Sequence, residues 1–136
     1  MAKSLFPQEM LENSVSEFTL ESIASKMDYF VAQIQLVHWQ TPSHAEHSAL
    51  NFYDAVHDFK DDILEKLMGY EGRKVKAFPR LPVKDGVMAM NLIGEVVSFA
   101  HELMEWAESK KYCDIENIAQ SLSGEAAKTK YLLTQS

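Results

Sequence analysis

The sequence predicts an all-α fold, an antiparallel four-helix bundle formed by a single domain. Four stretches place apolar residues at the three-and-four spacing of one helix face. Glycine and proline are scarce, with 5 and 4 residues, and the segment from Gly69 to Gly86 holds several of each. No stretch alternates apolar and polar residues as a strand would. The 136 residues suit one domain, and we assign the bundle to residues 19–136. Residues 1–18 are predicted to form an arm or a short helix.

The first half of the chain predicts two helices. One runs from about residue 19 to residue 39 and ends ahead of Pro42, which cannot continue a helix. The other runs from about residue 43 to residue 70, because Ser43 and Glu46 form a capping-box signature.

The second half predicts two more helices, from about residue 83 to residue 111 and from about residue 114 to residue 133. Short links inside each pair of helices make the members of a pair antiparallel. A proline-containing connector, residues 73–81, separates the two pairs. The largest basic cluster lies in and beside this connector, and we interpret it as a solvated loop: Arg73, Lys74, Lys76, Arg80 and Lys84.

Composition excludes several classes of function. The formal net charge of −7 argues against a general nucleic-acid binder, which needs a basic surface. No apolar run approaches membrane-spanning length, and the first residues lack a signal-peptide pattern. Cys113 is the only cysteine, so an oxidising compartment is not implied. We therefore expect a cytoplasmic protein with neither a nucleic-acid nor a membrane partner.

A polar stripe is predicted along the second helix, opposite its apolar face. With Val56 at the centre of the apolar face and about 100° per residue, His47, Asp54, Asp61 and Glu65 fall on the outer side. Asp61 and Glu65 are four residues apart and can converge on one ion. Imidazole and carboxylate groups suit first-row metals. The stripe is either a solvated helix face or a metal site that a neighbouring subunit completes.

The core, in contrast, is predicted to be apolar and without a di-metal centre. The core faces of the second and third helices carry no carboxylate, whereas di-iron bundles point glutamates inward. His38 continues the apolar face of the first helix, four residues after Ile34. It is either a hydrogen-bonded histidine that closes the core or a metal ligand.

The residues around His38 also carry a resemblance. A His-Trp pair, followed by Gln40 and Thr41, ends the first helix, and His47 follows after a polar loop. Asp61 and Glu65 then precede a glycine-containing helix end. This pattern is similar to that of the Dps-type mini-ferritins, which have a ferritin-like four-helix fold. The similarity covers about residues 30–72.

The resemblance implies a metal site between two subunits, with His38 from one and the acidic pair from the other. Ferrous iron, or another divalent metal, would bind there. As a ferroxidase, the protein would oxidise the iron and then store it. His47, or equally Glu46, would stand for the family's second histidine, and Asp54 would replace an acidic residue of the family. The implied partner is a second copy, in a dimer at least, while the short connector argues against a closed shell. The alternative is a non-catalytic helical oligomerisation module that kept the fold and lost the metal site.

Overall fold

The computed structural model describes residues 18–135, which form five helices and no strand. In chain order the helices are α1 (Leu20–Gln40), α2 (His44–Ala49), α3 (Phe52–Glu71), α4 (Ala89–Lys110) and α5 (Cys113–Leu133). The predicted all-α class with four long helices is confirmed, and α2 is a short addition to it. The arm predicted for residues 1–18 lies, except for Phe18, outside the described residues.

Helix α1 begins where the sequence predicts because Thr19 and Ser22 cap it reciprocally. The Thr19 hydroxyl accepts from the amide of Ser22 at 3.0 Å, and the Ser22 hydroxyl accepts from the amide of Thr19 at 2.9 Å. These bonds satisfy N–H groups that the start of a helix leaves without partners. At its other end α1 stops at Gln40, two residues before Pro42.

The second predicted helix is interrupted, so its prediction as one continuous helix is wrong. Helices α2 and α3 are separated by Leu50 and Asn51. Here the backbone forms tight turns, in which the amide of Asn51 donates to the carbonyl of Ser48 and that of Tyr53 to the carbonyl of Leu50, each at 3.2 Å. Asparagine has a low helix propensity, and the turn leaves Leu50 with 0% exposure in the core.

The connector is longer than predicted, because α4 begins at Ala89 rather than near Val83. Gly72 ends α3 with φ 67°, a left-handed conformation that glycine adopts without a steric penalty. Residues 73–87 then contain no helix. Residues 83–88, predicted as the start of the third helix, belong to the connector instead.

Two contacts define the path of the connector. Near the start of α1, the guanidinium of Arg73 donates to both carboxylate oxygens of Glu21, at 2.7 and 2.8 Å. At the end of α1, the side-chain amide of Gln40 donates to Asp85 at 2.7 Å. The connector therefore crosses the full length of α1, in the direction of α1.

This path determines the topology of the four long helices. Helix α3 returns antiparallel to α1, and the connector carries the chain back along α1. Helix α4 then runs antiparallel to α1, and α5 runs parallel to α1. The helices pack in the cyclic order α1, α3, α5, α4, with the contact between α1 and α4 much lighter than that between α4 and α5. Each sequential pair is antiparallel, as predicted, while α3 and α4 are parallel and joined by one long crossover.

The contact between Glu21 and the start of the connector, which we call the clamp, is strongly electrostatic. Besides the two bonds from Arg73, Glu21 accepts from the backbone amide of Lys76 at 2.8 Å. The Arg73 hydrogen bonds, followed by the one from Lys76, lower the pKa of Glu21 from 4.5 to about 2. Glu21 is therefore ionised over the whole neutral and mildly acidic range.

The centre of the bundle is apolar. Fully buried side chains from all four long helices meet there, including Phe30, Ile63, Leu103 and Ile115. The buried polar residues within residues 18–135 are Ser25, Gln33, His38 and Thr129, none of which is a carboxylate. None of the five described helices has the length and apolar content that a membrane span requires.

Candidate functional site

The end of α1 and the short helix α2 bring His38 and His47 together. Their ring centroids are 3.8 Å apart and the ring planes differ by 17°. Nδ1 of His38 lies 2.6 Å from the carbonyl oxygen of His47, and Nδ1 of His47 lies 2.8 Å from the carbonyl oxygen of His38. His38 is only 6% exposed, and His47 is half-buried. We call this reciprocal arrangement the histidine pair.

The loop between α1 and α2 positions the histidine pair. Pro42 prevents α1 from continuing, and Ser43 caps α2 by accepting from the amide of Glu46 at 3.1 Å. The amide of Ser43 in turn donates to the hydroxyl of Thr41 at 3.3 Å. The chain thus turns back over the end of α1, which places the ring of His47 on the ring of His38.

The two hydrogen bonds fix the tautomer of each imidazole. A carbonyl oxygen can only accept, so each Nδ1 must carry the proton that it donates. In the neutral imidazole the other nitrogen, Nε2, then keeps its lone pair. Neither Nε2 has a hydrogen-bond partner among residues 18–135. Both histidines therefore present Nε2 as a free acceptor or ligand atom.

His47 does not belong to the outer stripe of α3, so its predicted place there is wrong. The prediction treated residues 43–70 as one continuous helix with a constant rotation of about 100° per residue. The turn at Leu50 and Asn51 interrupts this helix. His47 instead faces His38, which was placed on the core side of α1. His38 itself is buried and hydrogen-bonded, as one of its two predicted interpretations required.

The acidic residues of the predicted site lie apart from the histidine pair. Asp54, Asp61 and Glu65 are exposed on α3, and none of them forms an ion pair within residues 18–135. Asp54 lines a shallow pocket of about 330 Å³ together with His57. Asp61 and Glu65 share one side of α3 because they are one helical turn apart.

Within the described part of the chain, no three His, Cys, Asp or Glu side chains come close enough to hold a metal ion together. Glu46, the alternative to His47, lines a different pocket, which it shares with Asp85 and the end of α1. The structure thus assembles His38 with His47 and leaves Glu46, Asp61 and Glu65 elsewhere.

Tyr53 is a neighbour of the histidine pair that the sequence analysis missed. Its ring centroid lies 5.4 Å from that of His38, at an angle of 52° between the planes. Tyr53 is the second residue of α3 and is half-buried, so it joins the start of α3 to the end of α1. Phe52 and Tyr53 both follow the turn at Asn51, and nothing in the sequence distinguished Tyr53 from its buried neighbour.

Comparison with known proteins places the chain in a family without a known activity. A family model described as a family of unknown function (DUF5856) matches residues 38–133, well over half of the chain. The chain belongs to this family. The DUF5856 match begins at His38 and covers the histidine pair, the acidic side of α3, the connector, and helices α4 and α5. No curated protein and no solved structure matches this DUF5856 chain.

Proposed function

We propose that this chain is a Dps-like protein of the ferritin-like fold that binds iron or another divalent metal between subunits. Ferrous iron is then its substrate, which it oxidises and stores. His38 and His47 would contribute imidazole ligands from one subunit, and Asp61 and Glu65 would contribute carboxylates from another. Asp54 and Glu46 are further candidate ligands.

The topology supports the ferritin-like part of this proposal. One long crossover between two antiparallel helix pairs is the connection pattern of ferritin-like bundles, whereas up-down-up-down bundles have only short loops. In this chain the crossover is the connector, pinned along α1 from Glu21 to Gln40. The crossover contains no helix, which separates it from the Dps-type members to which the sequence is similar.

The reciprocal histidine pair is the observation that carries the metal-binding proposal. Histidines that bind metals usually donate the other ring nitrogen to a carbonyl or a carboxylate, which fixes the tautomer and the ring orientation. His38 and His47 both donate in this way, at 2.6 and 2.8 Å. An imidazole together with exposed carboxylates fits iron, manganese or zinc. Because the two rings are stacked nearly parallel, their in-plane lone pairs do not converge on one ion, so His38 and His47 would each serve an ion of their own.

A single copy cannot complete the site. Tyr53 marks the level of His38 on α3, and Asp61 and Glu65 follow it by about 12 and 18 Å along the helix axis. Neither carboxylate can reach His38 over such a distance. A second copy that presents its own Asp61 and Glu65 near His38 would supply the missing ligands, so the proposal includes a homo-oligomer.

The residues have distinct tasks in this scheme. The carboxylates would supply charge that favours the ferric over the ferrous state. The carbonyl oxygens of His38 and His47 hold the protons of the two rings on Nδ1, which keeps each Nε2 available. Burial of His38 restricts its ring to one orientation, so that the ligand atom is positioned before the metal arrives.

A second candidate function is a helical oligomerisation module without a metal site. It is favoured by the same hydrogen bonds, because they also join α2 to α1 and would be useful without any metal. The absence of a three-ligand group within residues 18–135 of one copy supports it too.

Aerobic addition of ferrous iron to the purified protein, followed by the ferric absorbance, tests the leading proposal. Oxidation should be faster than in buffer, and Asp61→Asn/Glu65→Gln should reduce it to the buffer rate. The matched control is Glu105→Gln/Glu108→Gln, which removes the same charge from exposed positions of α4 and should leave the rate unchanged. If wild type and buffer oxidise iron equally and the purified protein retains no metal, the module is the better description.

A further inference from the structure

The connector carries exposed basic and apolar side chains. Lys74, Lys76 and Lys84 are exposed there, and none of the three forms an ion pair within residues 18–135. Apolar side chains accompany them, with Leu81 40% and Val83 41% exposed. We call these five residues the connector face.

Two larger apolar side chains are exposed at the end of α1 and just before α4. Met88 follows the connector directly, and Trp39 precedes Gln40, whose side chain binds Asp85. Both Met88 and Trp39 are 65% exposed. Exposed apolar side chains that cluster and are bordered by charge are typical of interaction surfaces, and tryptophan and methionine are enriched in the buried centres of interfaces.

A surface of the opposite charge lies on α3. Asp54, Asp58, Asp61 and Glu65 occupy one side of α3 over about 16 Å of helix, and all four are exposed. Of these, only Asp58 has a partner within residues 18–135, a 3.8 Å contact with His57. We call the four carboxylates the α3 face.

The connector face and the α3 face do not meet within one copy. Helix α3 packs on one side of α1, while Pro79 and Leu81 of the connector share a pocket with Phe99 and Glu102 of α4, on the other side. The connector also contacts α3, where the amide of Val75 lies 3.4 Å from Sδ of Met68, but none of its exposed lysines pairs with a carboxylate of the α3 face within residues 18–135. A contact between them requires two copies.

We propose that the connector face binds the α3 face of a second copy of this chain. Each lysine gains a carboxylate partner that it lacks in one copy, and Leu81 and Val83 lose contact with water. Asp61 and Glu65 are also the carboxylates that the proposed function assigns to a metal, so at one interface they either pair with the lysines or bind the metal, and the inference stands apart from the proposed function. Because the two faces differ, the contact is between unlike surfaces and can continue beyond a dimer.

The test is the mass of the full chain by sedimentation velocity, in EDTA and at two salt concentrations. Screening shortens the range of charge interactions from about 10 Å at 0.1 M salt to about 3 Å at 1 M. We expect wild type to have at least twice the monomer mass at 0.1 M salt, and the dissociation constant to rise by at least about tenfold at 1 M. A monomeric wild type at 0.1 mM protein and 0.1 M salt would overturn the inference.

Charge reversal identifies the faces. Lys74→Glu/Lys76→Glu/Lys84→Glu and, separately, Asp54→Lys/Asp58→Lys/Asp61→Lys should each be monomeric, with unchanged helix content by circular dichroism. An equimolar mixture of the two variants should associate, because a connector that carries glutamates can bind an α3 helix that carries lysines. If the mixture stays monomeric, or if either variant alone assembles like wild type, the assignment is wrong.

A matched control reverses the charge of three exposed lysines that lie away from both faces, Lys110→Glu/Lys111→Glu/Lys128→Glu. This control should keep the wild-type mass. EDTA separates this inference from the proposed function. Assembly in EDTA by a protein that binds no metal would keep the inference and remove the metal site, whereas a protein that is monomeric in EDTA and assembles only when ferrous iron is added would do the reverse.

Discussion

The side chain of Gln33 binds both backbone groups of Lys84. Its amide nitrogen donates to the Lys84 carbonyl at 2.9 Å, and its oxygen accepts from the Lys84 amide at 2.9 Å. Gln33 has 0% exposure. The Gln33 side chain thus pairs with the amide and the carbonyl of one connector residue, as the backbone of a neighbouring strand would, although neither segment is a strand.

Replacement of Gln33 by leucine should therefore destabilise the protein, although leucine is apolar and of similar size. The amide and carbonyl of Lys84 would lose their partners next to the core, at a cost of about 2–3 kcal/mol. Urea unfolding followed by circular dichroism measures this loss.

The control is Gln40→Leu, which removes the exposed contact with Asp85 and should change the free energy of unfolding by less than about 0.5 kcal/mol. Equal effects of the two variants would show that the connector is not anchored through Gln33.

The histidine pair predicts a stability effect that is separate from metal binding. His38→Ala removes a buried ring, its stacking on His47 and the hydrogen bond from its Nδ1 to the His47 carbonyl, so unfolding in EDTA should become easier by about 2–3 kcal/mol. His57 is exposed on α3, and His57→Ala should cost less than about 0.5 kcal/mol. Urea unfolding in EDTA again provides the measurement, and a His38→Ala variant as stable as wild type would contradict the reciprocal hydrogen bonds.

The clamp between Glu21 and Arg73 predicts the behaviour in acid. The pKa of Glu21 is about 2 in the folded protein, against 4.5 as its ordinary value. Because folding lowers this pKa, the unfolded chain binds the proton more readily, and the stabilisation is present above pH 4.5 and lost as the pH falls towards 2. Glu21→Gln should therefore reduce stability at pH 6 and lessen the further loss between pH 4.5 and 2.

The measurement is the melting temperature of wild type and Glu21→Gln across that pH range. The two curves should converge as the pH falls, since protonated Glu21 resembles glutamine. Curves that stay parallel down to pH 2 would mean that Glu21 keeps no special interaction with Arg73. Lys66→Gln, which removes an exposed pair with Asp62 on one helix, is the control and should have little effect at either pH.

The sequence was informative where one local rule decided the outcome, as at the end of α1, which follows from Pro42. It failed where tertiary contacts decided. The third predicted helix was started near Val83, but Gln33 holds the backbone of Lys84 in the connector. His47 was misplaced for a similar reason: its contact with His38 depends on a turn at Leu50 that no glycine or proline announces. The acidic side of α3 could be predicted, because it depends only on rotation within one helix.

Two helix ends with the same backbone conformation give a matched pair of predictions. Gly72 after α3 and Lys111 after α4 both have positive φ, 67° and 63°. Only glycine adopts this region without strain, so Gly72→Ala should destabilise the protein by about 1 kcal/mol and Lys111→Gly should stabilise it by a similar amount. The opposite sign at two equivalent positions distinguishes backbone strain from any effect of side-chain contacts.

Controls inside the helices should show the reverse. Gly124 lies within α5, where an added Cβ would meet nothing within 4 Å, so Gly124→Ala should stabilise by up to about 1 kcal/mol. Lys110→Gly, one residue before Lys111 and still helical, should destabilise by about the same amount. Thermal unfolding of the four variants at one pH measures all the signs together. If Lys111→Gly and Lys110→Gly destabilise equally, the left-handed end of α4 is not formed in solution.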